Sequence, residues 1–172
     1  MMQHARRNLS GEVEWYTPAD YLAAVRQVMG AIDLDPASSD TANKHVRASR
    51  YYTAQQNGLA QDWFGRVWLN PPYAMPYIKQ FVNRMCGAWQ TGEISEGVLL
   101  TNSATDTAWF DAAYNAAEVT CFTRGRIRFL EARNGELRER PAPMMGQVFF
   151  YFGVRTAKFA AVFGEFGNIA RH

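Results

Sequence analysis

The chain is short of several features that often announce a function. Of its 172 residues only two are cysteines, Cys86 and Cys121, and they lack metal-site spacing. They read as reduced core thiols of a cytosolic protein, not as a disulfide framework. Histidine is scarce too, with three residues in all. No apolar run approaches the roughly 20 residues that a membrane-spanning helix needs, and residues 1–10 lack the apolar core of a secretory signal. Internal repeats, low-complexity tracts and a glycine-rich phosphate loop are also missing. Eighteen basic residues face sixteen acidic ones, a net charge of only +2, so no overall basic field compels a nucleic-acid partner. The expectation is a cytoplasmic protein with no membrane span and no metal.

What is present is a core. Apolar residues make up 48% of the chain and aromatics 14%, enough for one domain without staples. Residues 1–12 read as a mobile arm and residues 13–172 as the domain.

The stretch richest in chemistry is Val67-Trp68-Leu69-Asn70-Pro71-Pro72-Tyr73. Its apolar start reads as a short buried strand. The prolines end that strand, because neither can donate a ladder hydrogen bond and each fixes φ near about −65°. The result is a stiff turn at a strand tip, offering an amide, carbonyls and a ring. The same residue types are ordinary turn formers. They also suit an exocyclic amino group, whose lone pair is delocalised into its ring. Oxygen acceptors from Asn70 and Pro71 would draw that lone pair out of plane, while Tyr73 stacks on an extruded base.

Upstream, Thr17-Pro18 reads as a helix start, with Thr17 as the hydroxyl cap and Gly30 at the far end. Residues 31–35 read as a strand carrying Asp33 and Asp35 towards its tip, and Pro36-Ala37-Ser38-Ser39 turns away from it. Both acids also fit simple turn capping; Asp35 lies nearer the tip. Residues 40–65 show no clear parallel strand. Asp62 precedes the Val67 strand and fits a turn as well as a binding role. Residues 75–89 repeat apolar side chains at helical spacing. Residues 97–101 read as a buried strand, 106–115 as a helix and 119–122 as a further strand. Such alternation argues a mostly parallel α/β sheet flanked by helices. Residues 124–146 hold six arginines against three glutamates, with the hairpin signal Asn134-Gly135. This basic β-hairpin insertion is either a DNA clamp using Arg124, Arg126, Arg128 and Arg133, or a solvated hairpin.

Asn70 to Tyr73 matches the signature of S-adenosylmethionine-dependent amino-methyltransferases. Over roughly residues 14–166 the layout resembles the phage-type DNA N6-adenine methyltransferases (Dam-like). The matching pieces are Trp15-Tyr16-Thr17-Pro18, Leu34-Asp35-Pro36-Ala37, Asn57-Gly58-Leu59 with Asp62-Trp63, Asn70-Pro71-Pro72-Tyr73, Thr107-Ala108-Trp109-Phe110 and Gly125-Arg126-Ile127-Arg128-Phe129. The resemblance implies a Rossmann-like class I fold, S-adenosylmethionine as cofactor and double-stranded DNA as partner. It implies a methyl acceptor at adenine N6, with Asn70, Pro71, Pro72 and Tyr73 as the catalytic turn. Tyr16, Thr17, Pro18, Asp35, Pro36 and Asn70 would hold the cofactor's methionine part and Asp62 its adenine. The same tetrapeptide also serves enzymes that act on cytosine N4, RNA bases or protein glutamine. A nucleic-acid-binding relative without catalysis is the reading from another class. The recognition sequence and oligomeric state are not legible.

Overall fold

The computed structural model describes residues 15–133, 136–141 and 144–172. The expected N-terminal arm and the Asn134-Gly135 turn lie outside those residues. Among the described residues, no helix is long and apolar enough to cross a membrane.

The centre of the fold is a seven-stranded sheet. Its strands are β1 (Leu34–Asp35), β2 (Arg50–Tyr51), β3 (Gly65–Leu69), β4 (Ile94–Asn102), β5 (Val119–Thr123), β8 (Gln147–Phe152) and β9 (Gly167–Arg171). Strands β6 (Leu130–Arg133) and β7 (Glu136–Glu139) form a separate antiparallel pair, the expected hairpin insertion. The order across the sheet is β2-β1-β3-β4-β8-β5-β9. Pairings among β2, β1, β3 and β4 are parallel, whereas β8 runs antiparallel to both β4 and β5, and β9 antiparallel to β5. Strand β5 therefore points with the parallel set, so that five of seven strands share one direction although half the pairings are antiparallel.

Both faces of the sheet are covered, and the strand sequences show why. In β8 every residue from Gln147 to Phe152 is buried. The two-residue alternation of a strand sends Val148, Phe150 and Phe152 to one core cluster and Phe149 and Tyr151 to the other. Val67 and Leu69 likewise separate from Trp68. On the first face lie α3 (Tyr77–Gln90) and α4 (Ala108–Ala116); on the second, α1 (Ala19–Met29) and α5 (Thr156–Phe163). Helix α3 contributes Ile78, Phe81, Val82 and Met85, spaced to share one stripe. A short α2 (Asp40–Val46) begins at Ser39, whose hydroxyl accepts from Ala42 N at 3.1 Å. Cys86 and Cys121 are free and buried, and burial pushes the Cys86 thiol up to about 11.

Several sequence expectations need correction. A parallel strand does exist between residues 40 and 65: β2 pairs with β1 over two residues, too short for a periodicity to show. Strand β1 is itself only two residues long. Helix α1 starts at Ala19 with Pro18 as its cap, and Thr17 does not cap it because its hydroxyl meets Asn70 instead. Helix α4 is capped by Thr107, whose Oγ1 accepts from Phe110 N at 3.3 Å, and begins after Asp106.

Phe150 packs edge-on against Phe110 at 5.2 Å between ring centroids, joining β8 to α4. We expect Phe150→Ala to lower unfolding free energy by about 3–5 kcal/mol through the cavity it leaves. Urea denaturation with an unchanged m-value would register that loss; a loss below about 1 kcal/mol would contradict this packing.

Candidate active site

Chain order reverses across the sheet between β1 and β3: from β1 the chain crosses to β2 on one side and then to β3 on the other. Crevices outside the carboxyl ends of strands at such a switch are where open α/β sheets bind ligands. Here the tips of β1, β3 and β4 carry Asp35, Asn70 and Asn102.

Two adjoining cavities occupy that edge. The larger, about 230 Å³, is lined among others by Tyr16, Pro36, Asn70, Pro71, Pro72 and Tyr73. The smaller, about 40 Å³, has room for one small polar group and is bordered by Thr17, Asp35 and Asn70. Asn70 borders both. The fold thus gathers nearly all the expected site residues from segments up to 57 positions apart, from Tyr16 to Tyr73.

Two exceptions stand out. Asp62 is exposed and lines neither cavity; its main-chain oxygen accepts from the Tyr52 hydroxyl at 3.2 Å, and its carboxylate acts on the nearby Arg84 guanidinium. Pro18 caps α1 and lines neither cavity.

The two acids at β1 divide their work. Asp33 binds Arg66 through both carboxylate oxygens, at 2.7 and 2.8 Å, and accepts from Arg66 N at 2.8 Å. The Arg66 guanidinium holds the Asp33 carboxyl below the usual carboxylate range. This pair ties β1 to β3 and leaves Asp33 no part in the cleft. Asp35 is 3% exposed, with no basic partner among the described residues. Burial pushes its carboxyl up to about 7, against weaker opposing help from the Ser38 hydroxyl and from Ala37 N, which donates at 3.2 Å. Ser38 Oγ is itself buried without a hydrogen bond of ordinary geometry. A buried carboxylate with no cation and a buried hydroxyl without a well-formed hydrogen bond are costly features in a finished core. They fit the polar end of a ligand.

The Asn70 amide is held at both ends. Nδ2 donates to Thr17 Oγ1 at 3.2 Å, and Oδ1 accepts from the Tyr73 hydroxyl at 3.0 Å. Burial raises the Tyr73 phenol far above its ordinary value, so it stays a donor at every working pH.

Several cleft residues carried weak sequence signals. Gly58 faces Pro36 so closely that a Cβ would lie 1.9 Å from the Pro36 carbonyl oxygen. Its own carbonyl accepts from the Trp63 indole at 2.8 Å. The Asn57-Gly58 pair was legible as a turn, but not as a wall of the cleft. Phe129 and Trp15 also line the larger cavity. Trp15 packs at 5.5 Å on Phe129 and lies under the Arg140 guanidinium at 4.7 Å.

The basic segment divides too. Arg124 donates to the carbonyls of Gly164 and Gly167, at 3.1 and 3.5 Å, which makes it a brace between β5 and the α5–β9 turn. Arg126 and Arg128 are exposed and alternate with buried Ile127 and Phe129. Arg128 lies 3.9 Å from Glu139, and Arg140 pairs with Glu131 at 3.2 Å. Arg133 lies on β6, and its side chain is outside the described residues.

An α/β sheet with its cleft at the strand tips is compatible with the methyltransferase class. The family model described as DNA N-6-adenine-methyltransferase (Dam) matches residues 7–162, and the chain belongs to that family. The DNA N-6-adenine-methyltransferase of Haemophilus phage HP1 (strain HP1c1) is 29% identical over 141 residues, covering 79% of this chain and 77% of that protein. The protein of the same description from Escherichia phage T1 is 32% identical over 111 residues, covering 61% of this chain and 42% of that protein. No solved structure matches the chain.

Asp35 gives a pH signature. With its pKa raised on folding, the protonated acid contributes stability that is complete below about pH 4 and is lost as pH rises through about 7. Between those limits the free protein should lose stability, and Asp35→Asn should flatten the decline. A variant whose melting temperature follows the same slope would show that another group is responsible.

Proposed function

We propose that the chain transfers a methyl group from S-adenosylmethionine to the N6 amino group of adenine in double-stranded DNA. The observation that carries this reading is the Asn70 amide at the tip of β3, beside a cavity bordered by an unpaired buried acid. Family membership supplies the acceptor. The finer fold assignment, a Rossmann-like class I methyltransferase, is supported by five co-directional strands and by the switch point between β1 and β3.

When bound, S-adenosylmethionine supplies an electrophilic methyl group on a sulfonium. The residues present fit it. Asp35, 3% exposed, offers its ammonium a counter-charge, and the buried Ser38 Oγ offers a second polar contact. Tyr16 and Pro36 line the larger cavity next to them, and Gly58 keeps its wall bare of side chain.

The target base reaches this edge only after leaving its stack. Its amino group takes the place that the Tyr73 hydroxyl occupies on Asn70 Oδ1, with the Pro71 carbonyl as second acceptor. Tyr73, released from Asn70, is then free to stack on the base. Two oxygens accepting from N6 localise its lone pair on the face turned to the methyl donor. No strong base is needed in the attacking step, because N6 gives up its proton only after the methyl group has arrived. Outside the cleft, exposed Arg126 and Arg128 serve the DNA backbone. Arg124 is exposed as well, with its guanidinium engaged by the Gly164 and Gly167 carbonyls.

Incubation with tritiated S-adenosylmethionine and plasmid DNA, followed by nucleoside analysis, tests the reaction. Labelled N6-methyladenine that disappears in Asn70→Ala is the expected result. Label in N4-methylcytosine would keep the mechanism and change the base; label that survives in Asn70→Ala would remove Asn70 from its role. Arg126→Ala with Arg128→Ala should weaken DNA binding and reduce its salt dependence by about one unit of slope per lost phosphate contact. Cofactor affinity should stay the same, and a parallel fall in both affinities would make these arginines structural.

A further inference from the structure

A carboxamide has two ends of nearly equal size and opposite hydrogen-bonding sense. If the NH2 end of Asn70 faced the target, donor would meet donor and the amino group would lose its acceptor. Something must therefore fix which end points outward, and fix it before the base arrives. The Asn70 turn does not do this alone: its neighbours Pro71 and Pro72 have no N–H to offer the amide oxygen.

We propose that Thr17 is a positioning residue that sets the orientation of the Asn70 amide; this rests on the role given to Asn70 above. Thr17 Oγ1 accepts from Asn70 Nδ2 at 3.2 Å, which ties down the donor end and leaves Oδ1 for the target. Thr17 is only 6% exposed, so water does not readily replace that bond. Its backbone is held on both sides. Tyr16, directly before it, makes paired hydrogen bonds with Leu130 at 2.8 and 2.9 Å, and Pro18, directly after it, caps α1. Meanwhile the Tyr73 hydroxyl, donating to Oδ1 at 3.0 Å, keeps the outward end an acceptor until the base displaces it. The two contacts are different in kind: Tyr73 must leave for the reaction, whereas Thr17 stays through it.

A cap for α1 would have been the simpler use of this hydroxyl, and the helix forgoes it. Thr17 also borders the smaller cavity with Asp35, so a pure cofactor-binding role is the competing account. The two separate in kinetics. An orienting contact acts on the rate at saturation, whereas a cofactor contact made equally in the ground and transition states acts on KM alone.

The experiment compares Thr17→Val and Thr17→Ser with the unmodified chain, using tritiated S-adenosylmethionine and duplex DNA at saturation and calorimetry for cofactor affinity. Valine keeps the shape and removes the acceptor. The expected result is a fall in kcat on the order of tenfold for Thr17→Val, cofactor Kd within about twofold, and recovery in Thr17→Ser. An unchanged kcat, or a raised cofactor Kd with full kcat at saturation, would overturn the proposal. Should Thr17→Val fail to fold, the unmodified protein still decides the matter by NMR. The Asn70 side-chain amide protons should be protected from solvent exchange, and unprotected protons would overturn the proposal. No turnover by the unmodified chain would instead overturn the methyltransferase reading, and the Thr17 role with it.

Discussion

Two successive prolines deny the sheet two backbone donors at the end of β3, and the cleft exists because of that denial. The chain must leave the plane of the sheet after Leu69, and it does so rigidly. Asn70 is thereby left at the rim of a well-covered interior, with Val67, Trp68 and Leu69 buried behind it. The covering helices on both faces prevent β3 from shifting, so the precision of the turn is inherited from the core. Around this fixed point the other segments arrange themselves: Thr17 beneath the amide, Asp35 one strand over, Asn102 one strand to the other side.

Much of this was legible in the sequence, for physical reasons that differ from element to element. The apolar run into Asn-Pro-Pro-Tyr marked a strand tip because strand and stop signals are both local. The stripe of α3 and the hairpin insertion announced themselves by period and by turn chemistry. Asp35, not Asp33, borders the smaller cavity, and Arg66, which pairs with Asp33, lies 33 positions away where no local pattern could show it. Sequence separation also hid the brace role of Arg124, whose acceptors are residues 164 and 167. Strand β2, with two residues, carried no period to detect. The second use of Thr17 was hidden too: a hydroxyl before a proline fits a cap so well that nothing local suggests a partner at position 70.

The missing glycine-rich loop has a structural counterpart. After β1 the chain turns through Pro36, Ala37 and Ser38, and Ser38 N donates to Tyr52 O at 2.9 Å, so this loop is fixed by β2's neighbour and not by its own flexibility. The close approach that glycine usually permits is made by Gly58, from a different loop, against the Pro36 carbonyl. Trp63 holds that loop by its indole N–H. A backbone-only wall is a requirement of shape, and it can be met from any segment that the fold brings near.

The paired hydrogen bonds between Tyr16 and Leu130 join residues 114 positions apart, one directly before Thr17 and the other opening the hairpin. During synthesis, the segment holding Thr17 emerges early and can meet Asn70, but Tyr16 lacks its backbone partner until residue 130 has left the ribosome. By then β1 to β5 have all been made, whereas β8, the strand between β4 and β5, has not. Contacts of such high sequence separation form late and cooperatively. A chain cut short before residue 130 would therefore carry the whole Asn-Pro-Pro-Tyr turn yet leave Tyr16, and with it the backbone before Thr17, without its partner strand.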